Sequence, residues 1–129
     1  MLDALDQSLV DLCQRLLDAI AAGDWATYTE LCDSSLTAFE PEARGHLVTG
    51  LDFHRYYFAG EPSGARVQNT IVAPHVRRWD DAAVVSYVRL VQRETVGGTS
   101  ETLAFDETRV WRRQADGWRH VHFHRSVGC

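Results

Sequence analysis

Hydrophobic positions in this chain follow two rhythms. Over the first third, Leu2, Leu5, Leu9, Leu12, Cys13, Leu16, Leu17 and Ile20 recur at three- and four-residue spacing, the mark of an amphipathic helix. Asp3, Asp6, Asp11 and Asp18 lie mostly on the other side, and the first two suit the positive end of the helix dipole. Gly23 is placed to end the helix in a left-handed conformation. Asp24 then caps a second short helix predicted from about Trp25 to Cys32. Leu36–Glu40 reads as a short strand stopped by Pro41, Gly45 and Gly50 bracket another short extended piece, and Leu51–Phe58 reads as a third helix. Ala59–Gly64 is a loop by composition. After it the period falls to two, predicting strands over Arg66–His75, Ala82–Arg93, Glu101–Arg113 and Trp118–Arg125. Asp80-Asp81, Gly97-Gly98 and Asp116-Gly117 mark the turns, the last a two-residue hairpin signal. Helices first and an antiparallel meander afterwards make an α+β domain, expected to occupy residues 1–129 as one unit.

The strand faces say more. Along Ala82–Arg93, Val84, Val88 and Leu90 point one way while Val85, Tyr87 and Val91 point the other. A sheet with one wet face should alternate apolar and polar residues. Two or three helices can cover only one face of a four-stranded sheet, so a second copy of the chain is the simplest cover for the other.

Three arginines interrupt these apolar strands: Arg89, Arg109 and Arg125. A guanidinium does not lose its proton, so burial demands a bound anion or a carboxylate partner. One reading is a pocket for a small carboxylate, held bidentately, with Tyr87 on the Arg89 face adding a hydroxyl. The other is internal pairing with Glu40, Glu42, Asp106 or Glu107. Both hold if a glutamate occupies the site until a ligand displaces it. His120, His122 and His124 alternate, which puts all three on one side of the last strand with Trp118, and Val121, Phe123 and Arg125 on the other. Alternate side chains stand ~7 Å apart on a strand, wide for three ligands of one zinc, so cross-strand or interface packing is the favoured reading.

Composition narrows the classes. The net charge of −5 divides into −8 over residues 1–62 (eleven acids, three arginines) and +3 over residues 63–129 (seven acids, ten arginines). Lysine is absent, which coding bias explains most simply. An acidic chain without a basic cluster is not expected to bind nucleic acid. No apolar run or signal-peptide pattern points to a membrane, so a cytoplasmic protein is expected. Cys13, Cys32 and Cys129 share no metal-ligand spacing and are expected to be reduced thiols. No cofactor or metal is read from the sequence.

Several strings carry a resemblance. They are Leu36–Phe58, with Phe39-Glu40-Pro41-Glu42-Ala43 and Asp52-Phe53-His54-Arg55, then Thr70–His75, Tyr87–Leu90, Glu107–Trp111 and Val121–Ser126. Gly23-Asp24-Trp25 and Leu31-Cys32-Asp33 extend the match over nearly the whole chain. The sequence resembles the association, or hub, domain of calcium/calmodulin-dependent protein kinase II. The resemblance implies a cone-shaped fold of the nuclear-transport-factor-2 type, with a curved antiparallel sheet around a long N-terminal helix. It also implies homo-oligomers, with dimers stacked into a ring that gathers kinase subunits. The family's pocket-lining arginines match Arg89, Arg109 and Arg125, and its pocket histidine matches His54. There are departures: Ser34-Ser35 replaces a proline-glycine turn, Arg44 a leucine and Thr49 a glutamate, and the Ala59–Ala65 loop is shorter. The start at Met1 leads to the expectation of an excised or engineered domain, or of a stand-alone relative, without a preceding kinase domain. Related folds host isomerases and dehydratases, which makes a small cavity enzyme with His54 as general base the alternative, and a dimeric ligand-binding module a third. No nucleophile beside a base and no phosphate loop is visible, so a non-catalytic domain is expected.

Overall fold

Asp3 starts the first helix through a reciprocal capping box: its carboxylate accepts from the Asp6 N–H at 2.8 Å, and Asp6 accepts from the Asp3 N–H at 3.3 Å. In the computed structural model, which describes residues 1–60 and 66–127, helix α1 then runs Ala4–Ala22. Gly23 closes it at φ 68°, a left-handed conformation that costs a residue with Cβ about 1 kcal/mol. Asp24 caps α2 (Trp25–Leu31) by accepting from the Thr27 N–H at 3.1 Å and the Thr27 hydroxyl at 2.6 Å. Helix α3 covers Asp52–Phe58. Of the expected loop, residues 61–65 lie outside the described residues, as does Cys129. No helix among the described residues is long and apolar enough to cross a membrane.

The strands are β1 (Cys32–Phe39), β2 (Val48–Thr49), β3 (Arg66–Arg78), β4 (Ala82–Glu94), β5 (Ser100–Gln114) and β6 (Gly117–Val127). They form one sheet in the order β2-β1-β6-β5-β4-β3. All pairs are antiparallel except β1 with β6, which is parallel. Both β1 and β3 exceed their expected lengths. Strand β1 begins at Cys32 instead of Leu36, and β3 runs through Pro74 and continues past His75 to Arg78. Proline is tolerated because β3 is an edge strand and the register shifts between Val72 and His75, with Ala73 at φ 52°.

The sheet has an inner and an outer face. Inner positions include Ala83, Val85, Tyr87, Arg89 and Val91 on β4 and Glu107, Arg109 and Trp111 on β5, all buried. Leu9, Cys13, Leu16 and Leu17 of α1 are completely buried against this face, and the Trp111 indole N–H donates to Cys13 Sγ at 3.3 Å. Leu5, at the N-terminal end of the α1 stripe, remains 59% exposed. The outer face carries Val84, Ser86, Val88 and Leu90, opposite Val110, Thr108, Asp106 and Ala104. None of these outer residues is buried. Helices α1 and α3 touch inner-face side chains, as the Trp111–Cys13 bond and the His54–Phe123 pair show, and α2 packs on α3 through the Tyr28–His54 pair.

The final strand departs from simple alternation. His122 faces Val110 and His120 faces Trp111, so Val121 is an extra residue between them. This β-bulge reverses side-chain parity. His120 therefore turns inward and is completely buried, while His122 and His124 stay on the outer face. The three imidazoles expected on one side are thus separated. Phe123 and Arg125 do share the inner face, and Val121 sits in the bulge.

Candidate functional site

The inner face ends in a cavity of about 200 Å³ lined by Ile20, Tyr28, Glu40, Glu42, His54, Tyr57, Phe58, Arg89, Arg109, Phe123 and Arg125. Each comes from a different local cause. Arg89 and Arg109 point in because their strand parity matches that of Val85 and Trp111. Arg125 points in because it lies two residues past Phe123, on the far side of the bulge. Glu40 precedes and Glu42 sits within a single 3-10 turn, Pro41–Ala43, that Pro41 forces at the end of β1. His54 arrives from α3 and is packed edge-on by Phe53, with ring centroids 5.5 Å apart.

Behind the cavity wall lies a buried ionic cluster centred on Glu107. Its Oε2 accepts from Arg89 Nη1 at 2.9 Å, and its Oε1 accepts from Arg109 Nη2 at 3.1 Å and from the Tyr87 hydroxyl at 2.7 Å. The Tyr87 oxygen in turn accepts from Arg109 Nε at 2.8 Å, and Arg89 Nε donates to Asn69 Oδ1 at 2.7 Å. Glu107 is 2% exposed and Arg109 1%. Burial alone would raise the Glu107 pKa, but the two guanidiniums and the donated hydrogen bonds prevail and hold it at about 2. Glu107 is therefore the carboxylate that permits two guanidiniums in the core. Tyr87 spends its hydroxyl on this cluster and stands behind Arg109, outside the cavity lining.

The mouth is organised differently. Arg125 Nη2 contacts both carboxylate oxygens of Glu42, and its guanidinium lies 5.0 Å from the Phe105 ring centroid. Its Nε–H is buried without a partner. His54 Nε2 is 2.8 Å from Glu40 Oε1, while its Nδ1 is buried and unpartnered. Of the four acids considered as internal partners of the arginines, Glu42 and Glu107 take part, while Glu40 pairs with His54 instead. Asp106 takes no part: it is exposed on the outer face, opposite Val88.

Arg89, Arg109, Arg125 and His54 thus meet in one cavity, as their strand and helix positions imply. Residues that sequence reasoning passed over are Tyr28, Phe58 and Phe123, which give the cavity an aromatic wall, and Asn69, which orients Arg89. The signal for Glu107 as the central carboxylate was present. It sits two residues from Arg109 on the same strand, hence on the same face, and directly opposite Tyr87. No group of three His, Cys, Asp or Glu residues among those described is arranged to hold a metal.

Comparison with known proteins meets this geometry. Residues 5–128 match the family model of the calcium/calmodulin dependent protein kinase II association domain. A curated relative, the delta subunit of calcium/calmodulin-dependent protein kinase type II from Oryctolagus cuniculus, is 45% identical over 126 residues, which is 95% of this chain and 24% of the relative. The chain thus spans about a quarter of that kinase's length. The solved hub homology domain from Chlamydomonas reinhardtii is 48% identical with a TM-score of 0.90, covering 98% of this chain and 100% of that one. A nuclear-transport-factor-2-like protein from Salmonella enterica superposes at TM-score 0.77 with 19% identity, over 95% of this chain and 90% of that one, and shows the shared fold. The matched segment is a hub domain and not the catalytic part of these kinases. With the family model matched over nearly its whole length, this chain belongs to the calcium/calmodulin-dependent protein kinase II association domain family.

Proposed function

We propose that residues 1–129 form one self-assembling hub domain whose copies pair through the outer sheet face and build on toward a stacked ring. The observation that carries this reading is the uncovered outer face. Val84, Val88, Leu90 and Val110 are only partly buried there, and every helix is spent on the other side. Apolar area of that kind, removed from water, contributes roughly 25 cal/mol per Å². An isologous pairing places the same strip on both partners and needs no second surface. The two more similar relatives named above are a hub homology domain and a kinase of which the chain spans a quarter. A kinase partner, on the same polypeptide or another, and a cytoplasmic location belong to this proposal. Light scattering at micromolar concentration tests it, with a mass of at least a dimer expected; a monomer of 14.6 kDa at that concentration ends the reading.

The cavity is the second part of the proposal: a site for a small carboxylate with an apolar body. Support comes from the unpartnered Arg125 Nε–H at the mouth, the unused guanidinium donors of Arg89 and Arg109, and the aromatic wall. Glu42 holds the place that a ligand carboxylate would take on Arg125. Benzoate is a suitable probe by calorimetry. Arg125→Ala is expected to weaken its binding about tenfold or more, and Glu42→Gln to tighten it by removing the internal competitor, a charge-assisted bond being worth ~1.5–3 kcal/mol. Unchanged affinity in both variants refutes the assignment. The isomerase alternative has no comparable support, because fold neighbours of that kind, at about 20% identity, share only the architecture.

A further inference from the structure

The β-bulge at Val121 has delivered a histidine to a place where strand alternation alone would not put one. His120 is completely buried between β5 and β1. Its Nε2 lies 3.4 Å from Arg109 Nη1, and its Nδ1 lies 3.5 Å from Cys32 Sγ. Cys32 caps α2, its backbone N–H donating to the carbonyl of Tyr28, whose ring lines the cavity. A chain of contacts therefore leaves the cavity at Tyr28, passes through Cys32 and His120, and returns to it at Arg109.

From this geometry we infer that His120 is a positioning residue for the cavity, a neutral imidazole that holds Arg109 with its fork toward the ligand. The inference rests on the reading of the cavity as a carboxylate site. Arginine only donates, so His120 Nε2 must present a lone pair. The ring proton then sits on Nδ1 and points to Cys32 Sγ, which accepts it. Arg109 is thereby fixed at each of its three nitrogens: Nε to Tyr87, Nη2 to Glu107 and Nη1 to His120. Its face is fixed as well, with Phe123 4.5 Å from the guanidinium carbon. With five N–H groups and three so engaged, two donors remain for the cavity. Glu107 and Tyr87 alone would restrain one edge of the guanidinium and leave Nη1 free to seek another acceptor.

The groups facing His120 favour the neutral form. Arg109 on β5 is cationic, Cys32 on β1 carries a thiol that burial pushes up to about 12, and Tyr28 on α2 is likewise raised by burial. His54 on α3 and His122 on the same strand add no negative charge. Burial first, then Arg109, hold the His120 pKa well below its ordinary value.

Two measurements decide the matter independently of whether the cavity binds anything. Side-chain ¹⁵N and ¹³C shifts of His120 should report a neutral Nδ1–H ring that does not titrate between about pH 5 and 8, where an unperturbed histidine near 6.5 would. An Nε2–H ring, or titration in that window, overturns the inference. Rotation of the Arg109 guanidinium, read from its ¹⁵N–¹H signals, should be several-fold faster in His120→Leu and slow again in His120→Gln, whose amide can both accept and donate. Equal rotation in wild type and His120→Leu also overturns it. Benzoate affinity then separates the two readings. If wild type binds, His120→Leu should bind about tenfold less tightly, roughly 1.4 kcal/mol, with His120→Gln restoring most of the loss. Full affinity in His120→Leu defeats the positioning role. No binding in wild type defeats the carboxylate site, while the ring state and guanidinium rotation still judge His120.

Discussion

The two faces of this sheet are built from the same strands and solve opposite problems. On the inner face every strongly polar group near the centre has a partner within the chain: Glu107 holds Arg89 and Arg109, Tyr87 bridges them, and Asn69 finishes Arg89. On the outer face Val84, Val88, Leu90 and Val110 stand beside Ser86, Thr108, His122 and His124 with no helix over them among the described residues. The centre of the inner face is complete in one copy. The outer face is half of something. Charge can be buried in a single small domain when its countercharge is one strand away, whereas apolar surface left by a one-sided set of helices calls for another molecule.

The largest way to break this contrast is Glu107→Gln. The shape is kept but the anion is lost, leaving two buried guanidiniums without countercharge, and a cost of about 3–5 kcal/mol is expected in denaturant unfolding. A loss under ~1 kcal/mol would mean that the cluster does not organise the inner face. Next comes Val110→Glu, which puts a charge in the middle of the outer strip. It should weaken association at least about hundredfold, near 2.7 kcal/mol, while changing the unfolding free energy of the separated chain by less than ~1 kcal/mol. Sedimentation across a dilution series reads the first effect and chemical denaturation the second. An unchanged assembly would remove the outer face as the shared surface.

Acid sharpens the comparison most gently. The folded-state pKa of His120 lies below its unfolded value, so its contribution is present above about 6.5 and declines as pH falls below it, by at most ~1.4 kcal/mol per pH unit. Glu107 acts later: its folded pKa of about 2 lies below the unfolded 4.5, so its contribution is lost only as pH drops from 4.5 toward 2. Melting temperature should therefore fall in two stages on acidification. His120→Leu should shrink the upper stage, to which His122, also lowered by partial burial, adds a smaller part, and leave the lower. A single stage in wild type would show that one of the two groups is not held as described.

Helix α1 and the turn at Gly23 were legible because three- and four-residue spacing, an aspartate cap and a glycine stop are local signals. The inward aim of Arg89 and Arg109 was legible for a similar reason, since parity along an uninterrupted strand is fixed by its neighbours. His54 entered through resemblance and not through any pattern in its own helix. The start of β1 at Cys32 was not legible, because Asp33, Ser34 and Ser35 are poor strand formers drawn into β1, whose register along β6 shifts between Cys32 and Thr37.

The covalent order of residues was enough, by itself, to determine the helix-then-strand layout, the one-sided supply of helices and the inward aim of Arg89 and Arg109. Each of these depends on spacing within a single segment. Only the folded chain decided which carboxylate meets which guanidinium, that β1 lies parallel to β6, and that His120 turns away from His122. Those outcomes depend on contacts between distant segments, and one inserted residue at Val121 reverses every side chain beyond it. Alternation along a sequence carries no mark of where a partner strand will skip.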